Sequence, residues 1–363
     1  MPADSAIRIV MLDEDHVMAL VRHGMAKTSI ENDAMIRRFF APEECDPNRL
    51  YMLAHGLSAA DGVEVVQARG DPLAVAGAQV ILFRRGVVDA ATIVSCPGLW
   101  LVQRLGSRSD GIDLAALRAR GVPVSCLARR TLAYTAEHAI LLMLALAHRL
   151  PDAERAVRSG AYDPARVISP DKVAYNWTGL SRVDGLHGRT LGIIGLGEVG
   201  ALAARMAAGF GMRVIYANRN PLPPEREAAI GARFRSLNEL MSEADFISIH
   251  APNTPQTKDL VSALAIARMK PTAFLVNTAR GPILDEDALY DALVAGRIAG
   301  AGLDVHGVEP RPKDDRFCAL PNVILTPHIA GGSRLGLLDE VAAIYDNLRA
   351  VRAGMPPPHD RVT

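Results

Sequence analysis

Short apolar runs alternate with amphipathic stretches along the chain, and the spacing of the two sets the first expectation about its architecture. Ala78–Phe83 (AQVILF), Trp100–Leu105 (WLVQRL) and Val122–Cys126 read as strands, being short apolar runs bounded by turn residues. Between the last two, Ile112–Arg120 has helical spacing and stops at Gly121, a residue suited to a C-cap. Strand, helix, strand at this interval predicts a parallel α/β unit. A longer helix is predicted from about Tyr134 to Arg149, ending before Pro151. The Pro- and Gly-containing stretch Ser159–Leu186 predicts a loop. From Thr190 onward the alternation sharpens, with strands predicted at Leu191–Ile194, Arg213–Tyr216, Phe246–Ile249, Phe274–Asn277, Gly302–Val305 and Val323–Thr326. No repeat of domain-building length is visible, and the closing MPPPHDRVT reads as a frayed tail.

At 363 residues the chain exceeds what one ordinary core accommodates, so two domains are expected. Lys plus Arg and Asp plus Glu both number 40, and this balance gives no reason to expect nucleic acid or an anionic membrane as partner. Cys45, Cys96, Cys126 and Cys318 form no CxxC pair, which fits reduced thiols in a cytoplasmic protein without a disulfide framework or a metal. The early acids argue against a secretory signal, and the apolar stretch Ala139–Ala147 is too short to span a bilayer. It reads instead as a buried helix. The chain therefore reads as a globular α/β protein.

Its strongest local motif is TLGIIGLGEVG at 190–200, followed by a helical stretch Ala201–Phe210. Gly195 suits the tight turn, Gly197 lets a pyrophosphate approach the backbone, and Gly200 lets helix and strand pack closely. The helix N-terminus, with Glu198 and Val199 in the loop, would offer free N–H groups to the phosphates. A strand before, a helix after and a second strand (RVIYA) at the expected distance make this a dinucleotide site. After that second strand an acid would accept from the ribose hydroxyls of NAD and repel a 2′-phosphate. Here Asn218-Arg219-Asn220 stands instead, which favours NADP(H), since Arg219 can pair with a phosphate. NAD(H) stays open if Arg219 stacks on the adenine or faces solvent.

Three further stretches place an Arg, two acids and a His just past strand ends: VNTARG with Arg280, GLDVHGVEP with Asp304 and Glu309, and TPHIAGG with His328. In a doubly wound sheet such positions face one crevice. In this order and spacing the motifs resemble the D-isomer-specific 2-hydroxyacid dehydrogenase family, which includes glyoxylate/hydroxypyruvate reductases and phosphoglycerate dehydrogenases. The resemblance runs from about Ala78 to about Ala353 and is strongest over Thr190–Gly332. It implies that Arg280 binds the substrate carboxylate and polarises the keto oxygen. His328 would be general acid in reduction and base in oxidation, with Glu309 orienting it and favouring its protonated form. Pro252, Thr278, Ala279 and Asp304 would contact the cofactor, Asp304 near the nicotinamide.

The resemblance also implies two Rossmann-like doubly wound α/β domains with an interdomain active-site cleft. The dinucleotide domain would be continuous over 139–327, and the substrate domain would combine 1–138 with 328–363. Leu105–Gly111 matches the family's Gly-rich substrate loop, but Arg108 stands where Gly is common and Gly111 where Asn is common. Arg85, Ser107 and Arg108 are candidate substrate contacts that would suit a second negative charge; solvent exposure or pairing with nearby acids is the alternative. Thr131-Leu132 replaces the Asn-Ser that often opens the interdomain helix, whose all-round apolar character fits burial between domains or in a homodimer. His138, His187, His250 and His306 read as structural or surface residues. The implied activity is hydride transfer between NAD(P)H and a small 2-keto or 2-hydroxy acid. A non-enzymatic, cofactor-sensing scaffold or corepressor on the same fold is the alternative, and Glu309 speaks against a related formate oxidiser, which pairs its His with Gln.

Overall fold

In the computed structural model, which describes residues 7–13, 15–40, 43–44, 46–163, 175–332 and 334–363, the apolar runs become two all-parallel sheets. Part of the predicted 159–186 loop, residues 164–174, lies outside the described residues. The chain divides into two compact units, one of Met1–Thr131 with Ser333–Thr363 and one of Leu132–Gly332. The sequence reading put these boundaries at 138/139 and 327/328. The first comes earlier, because the whole helix Leu132–Ala147 packs on strands of the second unit, and the second comes after Gly332.

The first unit holds β1 (Ile7–Met11), β2 (Val63–Gln67), β3 (Val80–Phe83), β4 (Leu101–Leu105) and β5 (Val124–Leu127), in the order β2-β1-β3-β4-β5. Side chains alternate across this sheet. Ile9, Met11 and Leu82 face a core shared with helices His16–Met25 and Leu335–Arg352, while Val10, Ile81 and Val102 face the opposite core. No strand was expected at β1 or β2. β2 (VEVVQ) is a half-buried edge whose Glu and Gln blur the apolar signal.

One expectation is overturned here. The C-terminal segment read as a frayed tail instead lines the free edge of β5. Val362 N–H donates to the Val124 carbonyl at 2.8 Å, Cys126 N–H donates to the Asp360 carbonyl at 3.1 Å, and Val124 N–H donates to Thr363 Oγ1 at 2.8 Å. Asn347, fully buried on the last helix, accepts from His359 N–H at 2.9 Å and so starts the segment on its course. An unpaired strand edge inside a domain leaves donors unsatisfied. This segment supplies their partners.

The second unit holds β6 (Thr190–Ile194), β7 (Arg213–Ala217), β8 (Ala232–Phe234), β9 (Phe246–Ile249), β10 (Phe274–Asn277), β11 (Gly300–Leu303) and β12 (Val323–Leu325). Their order is β12-β11-β10-β9-β6-β7-β8, a doubly wound α/β sheet that reverses direction between β6 and β9. β6 and β9 are buried along their whole length, as expected for parallel strands covered on both faces. Leu191, Ile193, Val214 and Val276 pack with helices Leu132–Ala147 and Glu198–Gly209, and Ile194, Ile247 and Leu275 pack on the other face. β11 starts two residues before its predicted place at Gly302. Its GAGL sequence is poor in strand formers, but the small residues admit close neighbours: a Cβ on Gly302 would sit 3.1 Å from Leu142 Cβ. Asp304 and Val305 therefore fall just beyond the strand. Among the described residues, no helix is long and apolar enough to cross a membrane.

We expect deletion of Met355–Thr363 to cost about 1–3 kcal/mol of stability, because it leaves the β5 edge unpaired. Urea unfolding of the shortened chain checks this, and a midpoint equal to that of the full chain would count against the pairing.

Candidate active site and dinucleotide-binding loop

The turn after β6 sits at the point where the strand order reverses. Gly195 has φ +97°, and a Cβ there would come 2.6 Å from Ala251 N, so the backbone can pass the end of β9 only without a side chain. A Cβ on Gly200 would meet the Gly195 carbonyl at 2.5 Å, which is how closely helix Glu198–Gly209 approaches β6. At Gly197, by contrast, an added Cβ would find no atom within 4 Å, and the helix begins on Gly197 without a side-chain cap. Open space in front of uncapped N–H groups is what a pyrophosphate requires. Thr278, after β10, adds a buried Oγ1 with no partner among the described residues. The residues present thus fit a dinucleotide.

Asn218 is half-buried at the end of β7 and accepts from Leu196 N–H through Oδ1 at 2.8 Å, tying the glycine loop to the neighbouring strand. Arg219 is exposed beside it. Pro252 is exposed, and its carbonyl accepts from Thr257 Oγ1 at 2.6 Å. Glu198 and Val199 form the first turn of the helix.

Arg280, Asp304 and His328 follow β10, β11 and β12, three adjacent parallel strands, at their C-terminal ends. Asn277 is fully buried and shapes the first of these turns, accepting from Ala279 N–H and donating to the Arg280 carbonyl, both at 3.0 Å. The Arg280 guanidinium is exposed and donates to the Ala279 carbonyl at 2.5 Å. A Cβ on the next residue, Gly281, would lie 2.0 Å from the His306 carbonyl, so this turn is pressed against the loop that leads to Glu309.

Glu309 and His328 meet directly. Glu309 Oε2 lies 2.8 Å from His328 Nδ1, and Glu309 Oε1 accepts from His306 N–H at 2.9 Å. Burial works against the Glu309 anion, but hydrogen bonds from His328 and His306 N–H, and the charges beside it, hold its carboxyl below the usual range. An ionised carboxylate only accepts, so Nδ1 carries a proton, and Nε2 is the ring nitrogen without a hydrogen bond among the described residues. The imidazole is 43% exposed, enough for a substrate to reach it.

His328 has φ +57°, a left-handed conformation that costs a non-glycine residue about 1–2 kcal/mol. Asp304 fixes it there. The Asp304 carbonyl accepts from His328 N–H at 2.8 Å, Oδ1 accepts from Thr326 Oγ1 at 2.6 Å and Ile329 N–H at 2.9 Å, and Oδ2 accepts from Ala330 N–H at 2.9 Å. Asp304 therefore anchors the turn carrying His328, a role the motif alone does not reveal. Beneath, Arg311 donates from Nε to His306 Nδ1 at 3.0 Å, so His306 Nε2 carries the proton given to the Thr326 carbonyl, also 3.0 Å away. Arg311 is held in turn by Glu286 and Asp315. Sequence reasoning missed Thr326, Asn277 and Arg311, whose parts appear only once strand neighbours are known.

Within the first unit, Arg85 is exposed with its N–H on Asp13 Oδ2 at 3.0 Å, Ser107 is exposed, and Arg108 Nε is bonded to Asp110 Oδ1 at 2.7 Å. Arg84 pairs with Asp15.

A profile described as D-isomer specific 2-hydroxyacid dehydrogenase, NAD binding domain, matches residues 140–330. The chain belongs to the D-isomer-specific 2-hydroxyacid dehydrogenase family. It is 38% identical to a glyoxylate reductase from Korarchaeum cryptofilum over 272 residues, 75% of this chain and 79% of that protein. It is 35% identical to a D-3-phosphoglycerate dehydrogenase from Mycobacterium tuberculosis, over 77% of this chain and 50% of the relative. Among solved structures, a glyoxylate reductase from Paecilomyes thermophila aligns over 100% of this chain and 99% of its own, with 26% identity and a TM-score of 0.56. An NADPH-dependent glyoxylate/hydroxypyruvate reductase from Sinorhizobium meliloti aligns over 97% of this chain and 96% of its own, with 26% identity and a TM-score of 0.55. Membership makes the chain an NAD(P)-dependent 2-hydroxyacid dehydrogenase.

His250, at the end of β9 below the Gly195 turn, donates or accepts through Nε2 with Ser248 Oγ at 2.9 Å, while its buried Nδ1 has no partner among the described residues. Burial lowers its pKa to about 4. Unfolded imidazole takes its proton near 6.5, so the stability this neutral ring contributes is complete above that pH and is lost as pH falls toward 4. We expect a loss on the order of 2 kcal/mol by about pH 5, and His250→Gln to remove it. Urea unfolding at several pH values reads the slope; an identical slope in the variant would assign it to other groups.

Proposed function

We propose that this protein reduces small 2-keto acids, glyoxylate and hydroxypyruvate foremost, with NADPH as the preferred cofactor. The observation that carries the reading is the Glu309–His328 pair, 2.8 Å apart and held from both sides. Bound through the glycine loop, the nicotinamide supplies the hydride. His328 gives the proton from Nε2 to the forming alkoxide, while Glu309 keeps Nδ1–H engaged and the ring aimed. Arg280 binds the substrate carboxylate with a planar, permanently charged fork. The turn Asn277–Arg280 offers Thr278 and Ala279 to the cofactor, as Pro252 does from the loop after β9. The curated relatives support an acid of glyoxylate size.

Asn218 and Arg219 support NADPH. Asn218 Oδ1 makes the bond to Leu196 N–H that anchors the loop, without putting a negative charge where a 2′-phosphate would lie. Arg219 is exposed and positioned in sequence to pair with that phosphate. Homodimer formation is supported by Leu141, Leu150 and Val157, apolar side chains at least half exposed on two successive helices.

A panel of 2-keto acids run with each cofactor tests this reading. We expect NADPH consumption with glyoxylate or hydroxypyruvate, and a kcat/KM at least about 10-fold lower with NADH, a difference of some 1.4 kcal/mol. A preference for NADH would refute the role given to Arg219, and inactivity on every keto acid would refute the substrate class.

We expect His328→Ala to lower kcat by about 10²–10⁴-fold, the usual worth of a positioned acid, with cofactor affinity within about threefold of wild type. Stopped-flow turnover and fluorescence titration with NADPH measure the two quantities. Equal loss of both would mean that His328 serves binding instead.

A further inference from the structure

Besides His306, another imidazole stands beside the turn that carries His328 and has no part in the chemistry above. His138 lies on helix Leu132–Ala147, with its side chain 11% exposed, Nε2 3.1 Å from Thr326 Oγ1 and 3.5 Å from Asp304 Oδ1. One face of that helix runs along β11. Leu142 and Leu146 press on Gly302, and His138, one turn earlier on the same face, comes level with Asp304. Packing alone would favour another apolar residue here, since a buried ring nitrogen is costly unless bonded.

Thr326 Oγ1 is 2.6 Å from Asp304 Oδ1, and a carboxylate only accepts, so the hydroxyl's single proton goes to Asp304. Thr326 Oγ1 must then accept from His138, whose Nε2 carries the proton. The chain runs from His138 Nε2–H to Thr326 Oγ1–H to Asp304, and Asp304 holds the backbone of His328, Ile329 and Ala330.

We infer that His138 is a positioning residue: its N–H commits the Thr326 hydroxyl to Asp304 and so locks the turn that aims His328. The inference rests on the reading of His328 as the proton donor. It makes the donor atom, not the ring, the requirement. Glutamine, whose amide nitrogen can reach the place of Nε2, should therefore substitute, and alanine should not.

The test compares His138→Ala, His138→Gln and Thr326→Val in the full chain by keto-acid turnover and by amide hydrogen exchange. We expect His138→Ala to lower kcat about 10-fold or more with KM and NADPH affinity within about twofold, and His138→Gln to recover most of it. Exchange in the Thr326–Gly332 segment should rise about fivefold or more in His138→Ala, with helix Glu286–Val294 unchanged. Thr326→Val, which keeps the side-chain shape and deletes the linking hydroxyl, should reproduce both effects even if His138→Ala does not fold. A kcat within about twofold of wild type together with unchanged exchange in that segment would overturn the inference. So would faster exchange spread through the whole unit, which would make His138 a residue of the fold only. If the wild-type protein turns over no keto acid, the catalytic reading falls, and the exchange measurements still decide whether His138 holds the turn.

Discussion

A carboxylate removed from water is expensive unless its lone pairs are filled, and Asp304, with no exposure at all, fills them from a single turn. Its side chain takes a hydroxyl and two backbone N–H groups from residues 326–330, and its carbonyl takes a third N–H. Those bonds offset the left-handed backbone of His328, a conformation that would otherwise relax. The strain and the buried charge are therefore one construction, in which each makes the other tolerable. The exposed pair Glu309–His328 is only as well defined as the buried group behind it.

The glycine loop follows a similar logic on the other side of the point where strand order reverses. Its geometry depends on an acceptor at position 218, because Leu196 N–H needs one. An aspartate could supply that acceptor equally well, so the amide retains the loop while removing a charge. A charge at this position can thus be added or removed with the loop's anchoring bond retained. This is why the residue at the end of β7 is informative even though most of its contacts are within the protein.

Much of this was legible in the chain. The strands buried on both faces, such as β6, β9 and β10, announce themselves as short, largely apolar runs, and the glycines at 195, 197 and 200 become a readable strand–turn–helix because an apolar strand precedes them and a helix follows. Arg280, Glu309 and His328 stood out because each lies just past the end of a predicted strand. What the sequence hid depends on neighbours distant along the chain. β2 and β8 are short or mixed edges with little pattern, and β11 is built of small residues whose purpose appears only when Leu142 is seen against Gly302. His138 and Thr326 are separated by 188 positions, and no local motif links them. Asp304 was legible as a site residue, but its grip on the turn of His328 was not.

The segment beside β5 belongs to a unit that the chain leaves and re-enters. Helix Leu335–Arg352 contributes Leu338, Val341, Ile344 and Tyr345 to the core around β1, and the residues after it complete the sheet. On a ribosome, the continuous span Leu132–Gly332 emerges whole while its predecessor still lacks these pieces. The residues of this unit that precede Leu132 must therefore wait, with an apolar helix-binding face uncovered, until Leu335–Arg352 has been made. For that interval a chaperone has more to protect in the strands β1–β5 than in the continuous span that follows them.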